Sequence, residues 1–131
     1  METNFPQDLY YSEGHTWVKI ENKVVRVGIT KHAADTLKDI LILQVEPVGS
    51  RVRRMEPLGV VESIKAISEI MSPVSGIIKA VNEKVIAQPW LINYDPYGEG
   101  WIALIEPSNP KELELLMKAE EYLKIIQKER S

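Results

Sequence analysis

The chain has no cysteine among its 131 residues. That removes a thiol nucleophile, a disulfide framework and a thiolate metal site, and leaves any redox chemistry to an added group. No apolar run approaches the ~20 residues that span a bilayer, so no membrane partner is expected. A surplus of basic charge is also missing: 16 Lys and Arg stand against 19 Asp and Glu, for a net charge of -3. Phosphate backbones need a concentrated positive field, which excludes nucleic acid as a partner. The one basic cluster, Arg51, Arg53 and Arg54, reads as a solvated strand or hairpin edge. There is no glycine-rich phosphate loop and no Ser/His/Asp set at useful spacing. His15 and His32 are the two histidines. With no cysteine or tight acidic cluster beside them they make a poor metal site, and no metal is expected. An enzyme acting alone is the weaker reading. The opening residues, through Pro6, lack the basic-then-apolar order of a signal peptide and the Arg/Ser-rich character of a transit peptide, so the cytoplasm is the expected location.

What is present is an ordinary core-forming composition, 44% apolar, with no linker or low-complexity segment to divide it. One domain over residues 1–131 is expected. The first half reads mostly as strand. His15 to Ile20 alternates, with Thr16, Val18 and Ile20 on one face, and Val24 to Val27 returns after a turn at Asn22. Thr30 is a candidate N-cap for a short helix over residues 31–37, with Ala33, Ala34 and Leu37 inward. Ile40 to Val45 is a continuous apolar run, expected to be a strand buried on both faces. Residues 45–52 and 71–78 form a short internal echo, each with Pro-Val, then Gly, then a β-branched strand. Trp101 to Ile105 reads as a last buried strand. A helix is expected over about 110–127, with Asn109 as cap, Pro110 at its first position and Glu112 closing a capping box. Leu115, Ala119, Tyr122 and Ile126, with Leu116 and Leu123 beside them, give it one apolar stripe.

Between Leu58-Val60 and Ile67-Met71 lies a polar break, Glu62-Ser63-Ile64-Lys65-Ala66. It reads as a β-hairpin with Lys65 at or near its tip, exposed enough to enter a modifying enzyme. Glu62 and Glu69 give a charged surface that such an enzyme can read. Composition alone makes Lys65 one more solvated lysine.

The wider pattern singles it out. Glu62-Ser63-Ile64-Lys65-Ala66 is followed by Ser72-Pro73-Val74-Ser75-Gly76. Upstream stand Tyr11-Ser12-Glu13-Gly14-His15-Thr16-Trp17-Val18 and Val27-Gly28-Ile29-Thr30 with Ala33 and Leu37. Downstream stand Asn82, Pro89, Asn93, Asp95-Pro96-Tyr97-Gly98-Glu99-Gly100-Trp101 and Glu121-Tyr122. In order and spacing, almost end to end, the chain resembles the glycine cleavage system H proteins, which carry lipoate on a lysine. Biotin carriers, the rival family, place methionine on both sides of the lysine, where this chain has Ile64 and Ala66.

The resemblance implies a mainly β fold, a barrel-sandwich hybrid of two small antiparallel sheets with a short internal helix and a C-terminal helix. It implies lipoate joined to Lys65 as an amide, with Glu62, Ser63, Ile64, Ala66, Glu69 and Gly76 in the recognition of that site. It implies a cleft for the arm near Glu13, His15, Thr16, Ile29, Ala33, Thr36 and Leu37. The implied partners are a pyridoxal-phosphate (PLP) glycine decarboxylase, a tetrahydrofolate-dependent aminomethyltransferase and a flavin- and NAD-dependent (FAD/NAD) dihydrolipoyl dehydrogenase. A lipoate ligase or lipoyl/octanoyl transferase would load the lysine. The implied role is a monomeric carrier with no catalysis of its own, moving the aminomethyl group between these enzymes. The alternatives are a similar lipoyl carrier serving a heterodisulfide-reductase-like complex in sulfur oxidation, or one relaying lipoyl groups.

Four positions depart from the family pattern. Thr16 follows His15 where glutamate is usual, and Thr36 precedes Leu37, so both offer a hydroxyl where a carboxylate holds an ammonium better. Glu13 or Glu69 is the candidate replacement. Lys38 and Met55 stand where glycines are usual, and the turn at Met55 is expected to change shape. His15 reads as a structural hydrogen-bonding residue near the cleft. Trp17 and Trp101 read as core, and Trp90 and Tyr97 as aromatics in exposed loops.

Overall fold

Asn22 turns the first hairpin in a left-handed conformation, φ 57°, which asparagine tolerates better than most residues. The computed structural model, which describes residues 5–130, builds the rest around that hairpin. The opening four residues, part of the stretch read above for a leader, lie outside the described residues. In chain order the elements are β1 (Tyr10–Tyr11), β2 (Thr16–Glu21), β3 (Val24–Ile29), α1 (Lys31–Leu37), β4 (Ile40–Val45), β5 (Arg51–Val52), β6 (Pro57–Ser63), β7 (Ile67–Met71) and β8 (Gly76–Val81). The helices α2 (Glu83–Ala87) and α3 (Leu91–Tyr94), strand β9 (Ala103–Pro107), a 3-10 turn (Pro110–Leu115) and α4 (Ala119–Arg130) follow. Two antiparallel sheets result: six strands in the order β1-β2-β3-β9-β8-β5, and three in the order β4-β6-β7. This is the mainly β sandwich expected, with both expected helical regions.

The echo marks where the chain changes sheet. Val45 ends β4 and Met71 ends β7, the two outer strands of the small sheet. Each then leads into a strand of the large sheet, β5 and β8, which pair antiparallel through Arg51–Ile77 and Val52–Gly76. Gly76 is needed there for its backbone: a Cβ would collide with the Glu106 carbonyl across the β8–β9 pair. Its place is in the large sheet and not in the lysine turn.

Two cores divide the apolar side chains. One fills the space between the sheets, with Val18, Val27, Leu58, Val61, Ile78 and Ile105 among its members. The other packs α4 on the outside of β1 and β2, joining Phe5, Tyr11, Trp17, Ala119, Tyr122 and Ile126. Tyr11 and Tyr122 stack with ring centroids 4.9 Å apart. The second core changes the expected alternation in β2. Thr16, Trp17 and Val18 are all buried, because both faces are covered at that end, while Ile20, on the same face as Val18, is 46% exposed at the far end of the strand. Gly28 pairs with Trp17, and the indole lies where a Cβ would be.

Several local expectations need correction. β4 is buried on one face only: Ile40 and Leu43 point inward, while Leu41 and Ile42 are exposed. It is an edge strand with a bulge, and the outer face of the small sheet is open. The helix expected over 110–127 is broken at Leu116–Lys118, where Met117 bonds back to Tyr11. Asn109 does cap Lys111, but Glu112 forms no capping box. Its carboxylate takes the Ser75 N–H and hydroxyl instead. Leu115 is exposed, and Leu116 is buried in its place. Trp101 is half-buried, with the Arg26 guanidinium 4.5 Å over its ring. Tyr97 is half-buried too, its hydroxyl accepting the Lys31 N–H, whereas Trp90 is exposed as expected.

Met55 takes a left-handed backbone, φ 64°, a conformation that favours glycine. Lys38 does the same at φ 67°, ψ -154°, a region almost confined to glycine.

Candidate functional site

β6 runs antiparallel to β7 with Glu62 opposite Ile67, which leaves Ser63 to Ala66 to make the reversal. Ser63 builds the turn. Its hydroxyl accepts the N–H of Lys65 at 3.1 Å and of Ala66 at 3.0 Å, and its own N–H donates to the Ala66 carbonyl. A serine competing for local backbone groups is a reason to leave a strand at that point. Two further bonds fasten the turn to the α1–β4 junction. The Ile64 N–H donates to the Asp39 carbonyl, and Lys65 Nζ lies 3.4 Å from the Thr36 carbonyl. Asn93 holds that junction from behind, accepting the Ile40 N–H and donating to the Lys38 carbonyl. Lys65 is exposed, as are Ile64 and Ile67 on either side.

Beside the turn is a cavity of about 220 Å³, walled by the hairpin, α1, the β1–β2 loop and the end of α4. Its apolar lining is Ile29, Ala33, Leu37, Val61 and Ile70; its polar groups include Thr36, Ser68, Glu69, His15, His32 and Glu129. Three larger hollows are lined by no residue of the hairpin.

Five residues of the expected cleft line this cavity: His15, Ile29, Ala33, Thr36 and Leu37. Two do not. Thr16 is fully buried behind it, its hydroxyl 2.6 Å from that of Ser12. Glu13 is exposed and outside the lining. Of the two carboxylates considered as replacements, Glu69 is at the cavity and Glu13 is not. Glu62, Ser63, Ile64 and Ala66 surround Lys65 in the hairpin as read from the sequence.

The sequence reading missed the far wall. His15 Nδ1 is 2.8 Å from the Tyr122 hydroxyl, which also meets the Thr30 hydroxyl at 2.8 Å. Burial holds the Tyr122 phenol protonated well above the usual tyrosine range, and the Thr30 bond opposes this only in part. On the cavity side, His15 Nε2 is 3.1 Å and His32 Nε2 3.7 Å from the Glu129 carboxylate. Nothing local to Glu129 signals this. It looks like one more acid on a Lys/Glu face, at the opposite end of the chain from His15. Ser68 and Ile70 were legible in principle, as residues two apart on β7 flanking Glu69.

Comparison with known proteins bears on the whole of this geometry. A family model described as glycine cleavage H-protein matches residues 9–129. A glycine cleavage system H protein of Methylacidiphilum infernorum is 46% identical over 124 residues, 95% of this chain and 97% of that protein. One of Bacillus subtilis is 40% identical over 126 residues, 96% and 99% of the two chains. The crystal structure of a glycine cleavage system H protein from Mycobacterium marinum superposes with a TM-score of 0.82 at 35% identity, covering 90% of this chain and 95% of that one.

Proposed function

Because the chain belongs to the glycine cleavage H-protein family, we propose that it is a non-catalytic, monomeric carrier of the cytoplasm with lipoate held as an amide on Lys65. The shared name of its relatives favours glycine cleavage over sulfur oxidation or lipoyl relay. The observation that carries the reading is the position of Lys65. It is exposed at a hairpin tip, with Nζ beside the carbonyl of Thr36, a residue of the cavity wall.

The residues present fit a lipoyl arm. Ile29, Leu37, Val61 and Ile70 offer a hydrocarbon chain an apolar surface. When attached, the dithiolane supplies the redox sulfur that this cysteine-free chain lacks. The chain's own residues do the rest. Ser63 fixes where the lysine stem begins. Glu69 sets a carboxylate at the cavity edge, where a cationic amine is held better than by the hydroxyl of Thr36. Glu62 and Glu69 with exposed Ile64 and Ile67 make a mixed acidic and apolar rim for the loading enzyme. Tethering then raises the local concentration of the carried group at the decarboxylase, the aminomethyltransferase and the dihydrolipoyl dehydrogenase in turn.

Expression with a lipoate ligase and lipoate tests the attachment. Intact mass should rise by one lipoyl group in the wild type and not in Lys65→Arg, which keeps the charge and removes the acylable amine. An unshifted wild type rejects the carrier. Lipoylated protein should also support glycine/CO2 exchange with a decarboxylase from the same cell. Failure there rejects the glycine role alone.

A further inference from the structure

His15, His32 and Glu129 each offer a ligand atom, and these atoms lie within 4.8 Å of one another. We propose that they form a binding site for a divalent transition-metal ion of the zinc class, on the wall of the cavity opposite the lysine hairpin. The argument starts from the donor set. Two imidazoles and one carboxylate suit zinc and its neighbours, and three protein ligands leave one position open. Ligands bonded at ~2.0–2.1 Å in tetrahedral geometry stand roughly 3.3 Å apart. His15 Nε2 is 3.1 Å from Glu129 Oε2 and His32 Nε2 is 3.7 Å from Glu129 Oε1, so each ring faces one carboxylate oxygen at close to that spacing. The two rings are 5.2 Å apart at 45°, and closing the spread of the ligand atoms, within 4.8 Å, to that spacing brings both nitrogens to one ion.

The second argument is the support behind His15. Its Nδ1 is tied to the Tyr122 hydroxyl, and Tyr122 is fully buried and itself tied to Thr30. An outer hydrogen bond of this kind fixes the ring and selects Nε2 as the ligating atom. In the tautomer that donates Nδ1–H to Tyr122, Nε2 turns a lone pair toward the Glu129 carboxylate, an arrangement that a bridging cation satisfies. All three ligands line the cavity, so the open position faces inward, toward water or a donor seated there. The ion would also clamp the end of α4 to the β1–β2 loop and α1. The site does not depend on whether Lys65 is modified.

Titration of the tag-free, unmodified chain with Zn2+ against a chromophoric chelator tests the proposal. With no cysteine present, no thiol competes. The expected result is one Zn2+ per chain, with X-ray absorption showing only nitrogen and oxygen neighbours. Glu129→Gln, an exposed change on a helix surface, and His32→Gln should each abolish stoichiometric binding. Tyr122→Phe keeps all three ligands and should weaken binding roughly ten- to hundredfold. Less than one equivalent bound by the wild type overturns the proposal, as does Glu129→Gln binding as tightly as wild type.

Discussion

The cavity has two sides built on opposite plans. On one side the Lys65 turn is exposed and ordered by its own neighbours: Ser63 bonds Lys65 and Ala66, and two contacts reach the α1–β4 junction. On the other side His15 stands in the wall and is held from behind by Tyr122 and Thr30, which joins three segments that are distant in sequence. The tip meets water, so its order has to come from short-range backbone bonds. The wall rests on a buried aromatic cluster, and its order comes from packing that no single segment contains. The carrier role proposed for Lys65, which takes it into other active sites, needs the first plan. A chamber that must hold a fixed shape needs the second.

The sharpest way to break this contrast is Tyr122→Ala. Tyr122 is fully buried and packs on Phe5 and Tyr11, and loss of a large core aromatic costs about 3–5 kcal/mol. Urea denaturation should show that fall. At low urea, where the variant remains folded, Lys65 should still be modified by the ligase, because nothing at the tip touches Tyr122. Tyr122→Phe isolates the hydroxyl. The folded state raises this phenol's pKa, so the stability it gives is present below the unfolded value, ~10, and is lost as pH rises above it. Wild-type stability should therefore decline in alkali more steeply than that of Tyr122→Phe. Equal alkaline slopes would mean that burial of the hydroxyl is not what holds the wall.

Smaller and of opposite sign is Lys38→Gly, which acts where the two plans join. The backbone of Lys38 lies in a glycine region, at a cost of order 1–3 kcal/mol. Glycine's greater unfolded freedom takes back roughly 0.5–1 kcal/mol. The net expectation is a gain of about 1 kcal/mol, read as a higher urea midpoint with unchanged slope. The Lys38 N–H bond to Ala34 and the Asn93 bond to the Lys38 carbonyl are both kept in glycine. A loss of stability would show that the lysine side chain outweighs its backbone strain.

The same contrast decided what the sequence disclosed. The Lys65 hairpin, the Asn22 turn and the Thr30 cap were legible because each is signalled within a few residues. Thr30 does accept the Ala33 N–H, as its position before the helix implied. What depended on remote partners was misread. Glu112 fits a capping box by spacing, yet Ser75 lies within reach and takes its carboxylate. Thr16 fits a cleft position by resemblance, yet it is fully buried with its hydroxyl against that of Ser12. Ile40 to Val45 has the composition of a doubly covered strand, but the bulge after Ile40 and the open outer face of the small sheet expose Leu41 and Ile42. Glu129 carried no signal at all, because its meaning comes from two histidines at the other end of the chain.

The smallest expected effect is the most direct test of a locally ordered tip. Ser63→Ala removes the hydroxyl that accepts the N–H groups of Lys65 and Ala66. A single hydrogen bond of this kind contributes about 0.5–1.5 kcal/mol, and here the freed amides can turn to water. Global stability in urea should fall by no more than about 1 kcal/mol. The loss should be concentrated in the turn, with hydrogen exchange at Lys65 and Ala66 roughly fivefold faster and exchange in α4 unchanged. Lipoylation should slow while still reaching completion, because Lys65 keeps its amine and loses only a fixed presentation. A fall on the scale of Tyr122→Ala, or faster exchange reaching α4, would mean that the turn is held by the body of the fold, and the division between the two sides of the cavity would fail.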